Sequence, residues 1–250
     1  IENINFEVQD LNSEMSVVVI NDASSHQIID TYQNLENINS FEIINMKENR
    51  GHARCIASGL KYIFEKKEFD FVIPMDGDGE DRPEEIKSFI QLAEQANDKS
   101  IVGERTKRSE SLFFKICYQL HKLLTLGFTG HSIKFGNFTC LSKTTIKKML
   151  NEKATWNSFS GSLKKVEKDL LSIPSIRGTR YFGPSKMSFF NLLKHSLSII
   201  SVFRKSVLIL STLFIVFYIL LMQSNASIIT SIPLVLLLIM IYSISSLALR

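Results

Sequence analysis

Two long runs without a charged residue occupy the end of the sequence and restrict its fold more than any other feature. Residues 207–222 and 228–249 contain no Asp, Glu, Lys or Arg, and each approaches or exceeds the roughly 18 to 20 apolar residues that cross a bilayer as a helix. Five residues, QSNAS, separate the runs. The pattern predicts a transmembrane hairpin, and a buried hairpin of a soluble protein is the alternative.

The charges around these runs predict how the hairpin is oriented. Lys194, Arg204 and Lys205 precede the first run and Arg250 follows the second, whereas the connecting loop is uncharged. Lys and Arg accumulate on the cytoplasmic side of membrane proteins, so the residues before 205 are expected in the cytoplasm. Two basic stretches, at 99–122 and 177–205, interleave Lys and Arg with Phe and Leu. Such stretches suit an anionic membrane surface better than a nucleic acid.

The first hundred residues alternate short β-rich runs with amphipathic helical stretches. Strands are predicted at 16–21, 41–46, 69–75 and 100–103, and helices at 53–67 and 83–96. Such alternation favours an α/β fold with a mostly parallel central sheet and helices on its faces. Ligands of such sheets bind beyond the carboxyl ends of the strands, which is where Asp22 and Asp76 are expected to lie.

Two strongly apolar helices are predicted after residue 104, at 111–128 and 188–205. Each is interpreted either as an interfacial helix on the bilayer surface or as an ordinary core helix. Residues 137–150 predict a strand followed by a helix capped at Ser142. The predicted organisation is a globular domain at 1–186, a juxtamembrane amphipathic helix at 187–205 and the hairpin at 206–250, with spans at about 206–222 and 228–249.

Four acids are crowded into six residues of the stretch FVIPMDGDGEDRPEEI, namely Asp76, Asp78, Glu80 and Asp81. An EF-hand calcium loop does not fit, because its twelfth position would be Lys87 rather than Glu. A phosphatase nucleophile and a solvated acidic turn stay open. A site for Mg²⁺ or Mn²⁺ with a nucleotide diphosphate is the fourth interpretation, since hard oxygen ligands suit these ions. Asp81 is also expected to cap the helix that Pro83 opens.

Five segments in a fixed order carry a resemblance to a known family: VVVINDASS, NRGHARCIASGL, MDGDGEDRPEEI, VGERTKR and RYFGPSKMS. Together with the C-terminal hairpin they resemble the family 2 glycosyltransferases of GT-A fold. The branch is the one of dolichol-phosphate mannosyltransferases and bacterial polyprenyl-phosphate glycosyltransferases. The resemblance covers about residues 16–205. The first strand of that family has no counterpart in residues 1–15, so part of the donor pocket is expected to be missing.

For the donor side, the resemblance implies a set of nucleotide and metal contacts. Asp22, Asn49 and Gly51 would lie at the nucleotide, and Arg105 would face the phosphates with its planar fork. The Asp-x-Asp motif falls on Asp76 and Asp78, with Asp78 as the principal ligand of Mg²⁺ or Mn²⁺. Glu80 would complete the metal shell.

For the acceptor side, the resemblance implies basic and hydroxyl groups near a lipid phosphate. Lys115 matches a basic residue of the family by spacing, and Arg180, Ser185 and Lys186 match an Arg-x-x-Gly-x-Ser-Lys segment. An ionised phosphate needs no side-chain base, and a single displacement would invert the anomeric carbon. The catalytic residues that the resemblance implies are Asp76, Asp78, Arg105 and Arg180.

The resemblance implies a metal-dependent hexosyltransferase that moves a sugar from a nucleotide-diphosphate donor to a polyprenyl phosphate at the cytoplasmic membrane face. The expected partners are the nucleotide-sugar donor, the polyprenyl phosphate acceptor and the lipid bilayer, and no nucleic acid is expected. The membrane helices are also expected to allow self-association. A bacterial inner membrane fits the composition. Two alternatives stay open: a glycan or diacylglycerol acceptor, with Glu167 or Asp169 as base, and a non-catalytic membrane-anchored nucleotide-sugar-binding protein.

Overall fold

The computed structural model describes residues 1–25, 35–107, 112–181, 183, 189–225 and 227–248. The elements of the first half are α1 (Glu2–Glu7), β1 (Ser16–Asn21), β2 (Ser40–Asn45), α2 (His52–Lys66), β3 (Phe71–Val72), α3 (Ile86–Gln95), β4 (Ile101–Lys107) and α4 (Leu112–Thr129). Those of the second half are β5 (Phe135–Ser142), α5 (Lys143–Asn151), α6 (Phe159–Val166), β6 (Leu171–Ile176), α7 (Phe189–Ser201), α8 (Arg204–Met222) and α9 (Ile228–Ala248). Short 3₁₀ turns at Pro83–Glu85 and Lys153–Trp156 precede α3 and α6.

The predicted elements are present, with differences at a few boundaries. The strand predicted at 69–75 is reduced to the two residues of β3, which pairs only with β5 among the described strands and is followed closely by Pro74. Ser142 caps α5 as predicted, because its hydroxyl accepts a hydrogen bond from the Thr145 N–H. The helix predicted at 188–205 is divided, since α7 ends at Ser201 and α8 begins at Arg204.

The strand pairing is mixed, which corrects the prediction of a mostly parallel sheet. β1 and β2 form a parallel pair, and the other strands form a sheet of order β3-β5-β4-β6. β5 runs antiparallel to both β3 and β4, whereas β6 is parallel to β4. The reason lies in α4, which packs against α7 and α8. Because α4 does not serve as a crossover helix on the sheet, β5 returns antiparallel beside β4.

Alternating side chains of the central strands build two apolar cores. On one face, Ile101 of β4 and Cys140 of β5 pack with Phe89 of α3. On the other face, Val102 and Leu141 pack with side chains of α2, α5 and α6, which are Leu60, Ile146, Met149, Phe159 and Leu163. Neighbouring strand residues point to opposite faces, so the sheet lies between two helical layers.

A large cavity lies where the two parts of the sheet face each other. In the described residues no strand ladder joins β1 to β3. The cavity measures about 2490 Å³ and is lined by both of these strands, by α2, and by residues 76–81, which we name the acid loop. The cavity is therefore lined by residues 16–20 of β1 and by both residues of β3, but not by Asn21 or Asp22.

The last two helices, α8 and α9, are long and apolar enough to span a membrane. They contain 19 and 21 residues with a mean hydropathy of 2.3 in each, and only 11% of each span is buried. A core hairpin of a soluble protein would be mostly buried, so this exposure agrees with the predicted spans. Ile200 of α7, Val207 of α8 and Ile244 of α9 form a small apolar core. Leu124 and Phe128 of α4 pack against it.

The helices α4 and α7 also expose apolar side chains beside this hairpin. Leu120 and Leu123 of α4 are 56% and 66% exposed, and Phe190 of α7 is 78% exposed. Exposed apolar side chains next to candidate membrane spans favour the interfacial interpretation of both helices over the core interpretation. The interfacial placement stays a prediction.

Candidate active site

The end of β1 is joined to the start of α2 through Asp22. Its two carboxylate oxygens accept hydrogen bonds from the backbone N–H groups of Arg50 at 2.8 Å and Gly51 at 2.9 Å. The Asn49 side chain donates to the Asp22 carbonyl oxygen at 3.0 Å. The three residues predicted for the nucleotide, Asp22, Asn49 and Gly51, are thus brought together. In this geometry the Asp22 carboxylate orders the loop that precedes α2.

The acid loop follows β3 and is folded by hydrogen bonds from its own backbone. The Asp76 N–H donates to Asp81 Oδ2 at 2.9 Å, and the Glu80 N–H donates to Asp78 Oδ1 at 3.0 Å. Asp81 is only 5% exposed. The predicted helix cap at Asp81 is wrong, because Arg82 occupies the cap position of the following turn and makes no side-chain cap bond. Asp81 instead closes the acid loop onto its first residue.

The acid loop is also bound to the segment that follows β6. The backbone N–H groups of Gly178 and Tyr181 donate to the carbonyl oxygens of Glu80 at 2.8 Å and Asp78 at 2.9 Å. Gly79 has a φ of +90°, and a Cβ there would lie 2.9 Å from the Tyr181 ring. The space beside Gly79 is therefore occupied by the Tyr181 ring.

Ion pairs connect this segment to the acids. Arg180 Nη2 lies 3.0 Å from Asp78 Oδ2, and Arg180 Nε lies 2.8 Å from Glu80 Oε1. Arg177 Nη2 pairs with the other oxygen, Glu80 Oε2. Burial alone would raise the pKa of Glu80, but the hydrogen bonds from Arg177 and Arg180 outweigh it and lower the pKa. Glu80 is therefore held as a carboxylate by two guanidinium groups.

Asp76 is placed differently from its neighbours. Its Oδ1 lies 3.5 Å from His52 Nε2 at the start of α2. Burial raises the pKa of Asp76, His52 opposes that change, and the nearby charge of Asp78 adds to it. Burial and the Asp76 charge likewise raise the pKa of Asp81 to about 6. The loop therefore concentrates negative charge in a partly buried place, which a cation would stabilise.

Two histidines, His52 and His195, line the same cavity, and neither is among the predicted site residues. His52 also contacts the Asn137 side chain of β5. His195 of α7 lines the same cavity, and burial, helped by His52, lowers its pKa. His52 lies within a segment that carries the family resemblance, so its position was a usable signal. His195 gave no such signal, because its apolar helix reads equally well as a surface or a core helix.

The remaining predicted site residues divide into two groups. Arg105 of β4 lines the cavity and lowers the pKa of both Asp76 and Asp81 by its charge, although burial dominates in each. Its guanidinium lies against Gly136, where a Cβ would be 3.3 Å from Nη2. Lys115 belongs to α4, but its side chain lies outside the described part of the chain. Ser185 and Lys186 lie outside the described residues altogether.

The carboxylates of the acid loop fit a Mg²⁺ or Mn²⁺ ion that they would share with a bound ligand. In the described residues no group of three or more His, Cys, Asp or Glu side chains is arranged to hold a metal alone. Mg²⁺, however, is usually bound by one or two carboxylates and completes its shell with water and phosphate oxygens. Asp76 and Asp78 can supply these carboxylates, although Asp78 Oδ2 also meets Arg180 and its Oδ1 accepts the Glu80 N–H. Glu80 fits less well, since arginines hold both of its oxygens.

The α/β core places the acid loop beyond the end of a strand and beside two arginines, and sequence comparison assigns this part of the chain to a known family. Residues 7–162 match glycosyl transferase family 2. This match covers more than half of the 250 residues, and the chain belongs to that family.

Two curated relatives narrow the comparison. The undecaprenyl-phosphate 4-deoxy-4-formamido-L-arabinose transferase of Photorhabdus laumondii is 28% identical over 199 residues, which cover 73% of this chain and 56% of the relative. The protein of the same name from Proteus mirabilis is 25% identical over 195 residues, with the same two shares. The chain thus spans about half the length of the curated relatives it matches.

Proposed function

We propose that the chain transfers a sugar from a nucleotide-diphosphate donor to a polyprenyl phosphate at the cytoplasmic face of a bacterial inner membrane. One observation carries the proposal. The cavity that holds the acid loop, Arg105 and Arg180 is also lined by His195, Ser196 and Ile199 of α7. Because α7 is followed within three residues by α8, the site opens beside the start of the candidate membrane spans. An acceptor with a lipid tail and a polar head would meet the site there.

The relatives support a phosphate rather than a hydroxyl as the acceptor. Both are named as transferases for undecaprenyl phosphate. A hydroxyl acceptor needs a base, and Glu167 was one of the two candidates. Glu167 instead pairs with Lys148 at 2.9 Å and accepts a hydrogen bond from Thr145 at 3.3 Å. Neither Glu167 nor Asp169 lines the cavity, so these acids do not support the alternative.

The proposed reaction is one in-line displacement. An oxygen of the lipid phosphate forms a bond to the anomeric carbon of the sugar while the bond from that carbon to the donor diphosphate breaks. The nucleoside diphosphate leaves, and the configuration at the anomeric carbon is inverted. The phosphate is ionised at neutral pH, so no side chain has to remove a proton. The transition state is expected to resemble an oxocarbenium ion, as in glycoside hydrolysis.

The residues of this chain bind and orient the two phosphate groups. Arg105 would bind the donor phosphates, and Arg180 would lie on the acceptor side, both through the planar fork of guanidinium. Asp22, Asn49 and Gly51 would bind the nucleotide. Lys115, Ser185 and Lys186 stay proposals for the lipid phosphate. A divalent cation at Asp76 and Asp78 would supply neutralisation of the leaving diphosphate.

The decisive experiment identifies the product lipid. Membranes that contain the full-length natural protein would be incubated with candidate nucleotide sugars, undecaprenyl phosphate and Mg²⁺, and the lipids analysed by mass spectrometry. We expect a glycosyl phosphate lipid with the wild type. Asp78→Ala should reduce its formation at least about a hundredfold, because transition-state charge stabilisation of this kind is typically worth that much.

The control variant for this assay is Glu84→Gln, whose side chain is 52% exposed and pairs only loosely with Arg82 at 3.5 Å. It should retain wild-type rates. A glycosyl diacylglycerol as the product would show that the acceptor is wrong. Full activity of Asp78→Ala would show that the acid loop is not the reactive site.

A further inference from the structure

Glu80 is the member of the acid loop that pairs with two arginines. Its side chain is 10% exposed, and each of its two oxygens pairs with a different guanidinium, one of Arg177 and one of Arg180. Its carbonyl oxygen also accepts the Gly178 N–H at 2.8 Å. The acid loop and residues 177–181 are thus joined through both the backbone and the side chain of one residue.

The three acids differ in how many arginines they meet. Both oxygens of Glu80 pair with a guanidinium, one oxygen of Asp78 does, and Asp76 faces His52. A metal ion at Glu80 would therefore have to share or displace two cations. Removing one partner of a buried charge pair leaves an uncompensated charge, which costs several times more than an exposed pair contributes. Metal binding by Glu80 would cost its contacts with the two arginines. The ion is therefore expected at Asp76 and Asp78 instead.

The two arginines, in turn, are placed where an anion can reach them. Arg177 and Arg180 are 30% and 29% exposed, and both line the cavity. A guanidinium carries five N–H donors in a fixed plane, more than one carboxylate can accept. A carboxylate that holds such a group by its edge fixes the plane of its N–H donors, and so the direction from which a phosphate would be bound.

We propose that Glu80 is a positioning residue that holds Arg177 and Arg180 as a phosphate-binding pair beside Asp78. This inference rests on the proposed function and changes the expected role of Glu80 from metal ligand to arginine support. The bound group is a phosphate ester, and it comes either from the donor diphosphate or from the lipid phosphate. Arg177, which the motif comparison did not single out, becomes part of the site.

The test compares the full chain in detergent micelles with Glu80→Gln, Glu80→Asp and the control Glu84→Gln. Hydrogen exchange would follow the amides of Gly178 and Tyr181, which bind the acid loop. Titrations without added cation would measure binding of UDP, GDP and farnesyl phosphate, and a separate titration would measure binding of Mn²⁺. None of these measurements requires turnover.

We expect Glu80→Gln to speed exchange at both amides and to weaken phosphate binding at least about tenfold, because hydrogen bonds to charged groups are worth that much. Mn²⁺ binding should be unchanged, and Glu80→Asp should restore part of the phosphate affinity. A loss confined to UDP or GDP would assign the arginine pair to the donor. A loss confined to farnesyl phosphate would assign it to the acceptor.

Two results would overturn the inference, and they differ from failure of the proposed function. If Glu80→Gln weakens Mn²⁺ binding while exchange and phosphate binding match the wild type, Glu80 is a metal ligand. If exchange rises but phosphate binding is unchanged, Glu80 only stabilises the fold. Failure of the proposed function has a separate signature, namely a wild type that binds all three phosphate probes but forms no glycosyl phosphate lipid.

Discussion

At the scale of single residues, the four acids of the loop differ in their partners rather than in their chemistry. Asp76 faces His52, Asp78 and Glu80 face arginines, and Asp81 accepts a backbone N–H from within the loop. The sequence identified the crowding and the Asp-x-Asp pattern correctly. It could not distinguish the acids, because the arginines that do so lie about a hundred residues later in the chain.

Gly79 provides a test of how tightly the acid loop fits against residues 177–181. Gly79→Ala places a Cβ against the Tyr181 ring and 3.0 Å from the Thr179 carbonyl oxygen, at a positive φ. We expect the free energy of unfolding to fall by about 1 to 3 kcal/mol. Thermal unfolding in micelles, without donor or cation, would measure it.

The matched control for that substitution lies two residues away. Gly77→Ala meets no atom within 4 Å and has no positive φ, so its stability should stay within about 1 kcal/mol of the wild type. Equal effects of the two substitutions would mean that the contact with Tyr181 does not form.

At the scale of elements, α6 and α7 approach each other closely at Gly161. A Cβ at Gly161 would lie 2.8 Å from Val202 Cγ2 and 3.3 Å from the Ile199 carbonyl oxygen. Gly161→Ala should therefore displace α7 and destabilise the chain by about 1 to 3 kcal/mol. Faster hydrogen exchange in α7 would show the displacement.

Gly127 of α4 is the control position for the Gly161→Ala substitution. Gly127→Ala meets no atom within 4 Å and should be neutral or stabilising, since Ala favours a helix by up to about 1 kcal/mol over Gly. If Gly161→Ala behaves in the same way, α7 is not held against α6 at this point.

Glu167, just after α6, gives a pH-dependent prediction. Burial would raise its pKa, but the hydrogen bond from Lys148 outweighs burial and lowers the pKa. A carboxylate with a lowered pKa stabilises the fold above its unfolded pKa, and this contribution disappears as the pH falls through the folded pKa. Glu167→Gln should therefore lower the melting temperature at pH 7 and lose that effect in strong acid.

Glu68 provides the control for the Glu167 experiment. It pairs with Lys143 at 3.0 Å, but its side chain is 96% exposed, so Glu68→Gln should leave the melting temperature nearly unchanged at every pH. A constant difference between Glu167→Gln and the wild type from neutral to acid would contradict the predicted linkage.

The element boundaries also show what periodicity can and cannot predict. Hydrophobic spacing located α2, α3 and α5 to within a few residues, because one face of each packs on the sheet. The same spacing could not predict the antiparallel direction of β5. That direction depends on α4 packing against α8 instead of against the sheet, which is a tertiary contact without a local pattern.

At the scale of the whole molecule, the hairpin and its flanking charges predict a topology. Ser224 lies in the loop between α8 and α9, and Glu68 lies beyond α2. In spheroplasts, Ser224→Cys should react with a membrane-impermeant maleimide, whereas Glu68→Cys should react only after permeabilisation. The reverse pattern would place the acid loop on the other side of the membrane.

The lengths of α8 and α9 have a consequence for the height of the site. At about 1.5 Å per residue the helices are about 28 Å and about 31 Å long, against a hydrocarbon thickness of about 30 Å. Their lengths match the hydrocarbon thickness only if the helices are nearly perpendicular to the membrane plane. Arg204 should therefore sit at headgroup level. Because α7 adjoins that residue, bilayer thickness would set the distance between the cavity and the lipid headgroups. Lipid chain length is thereby expected to tune catalysis.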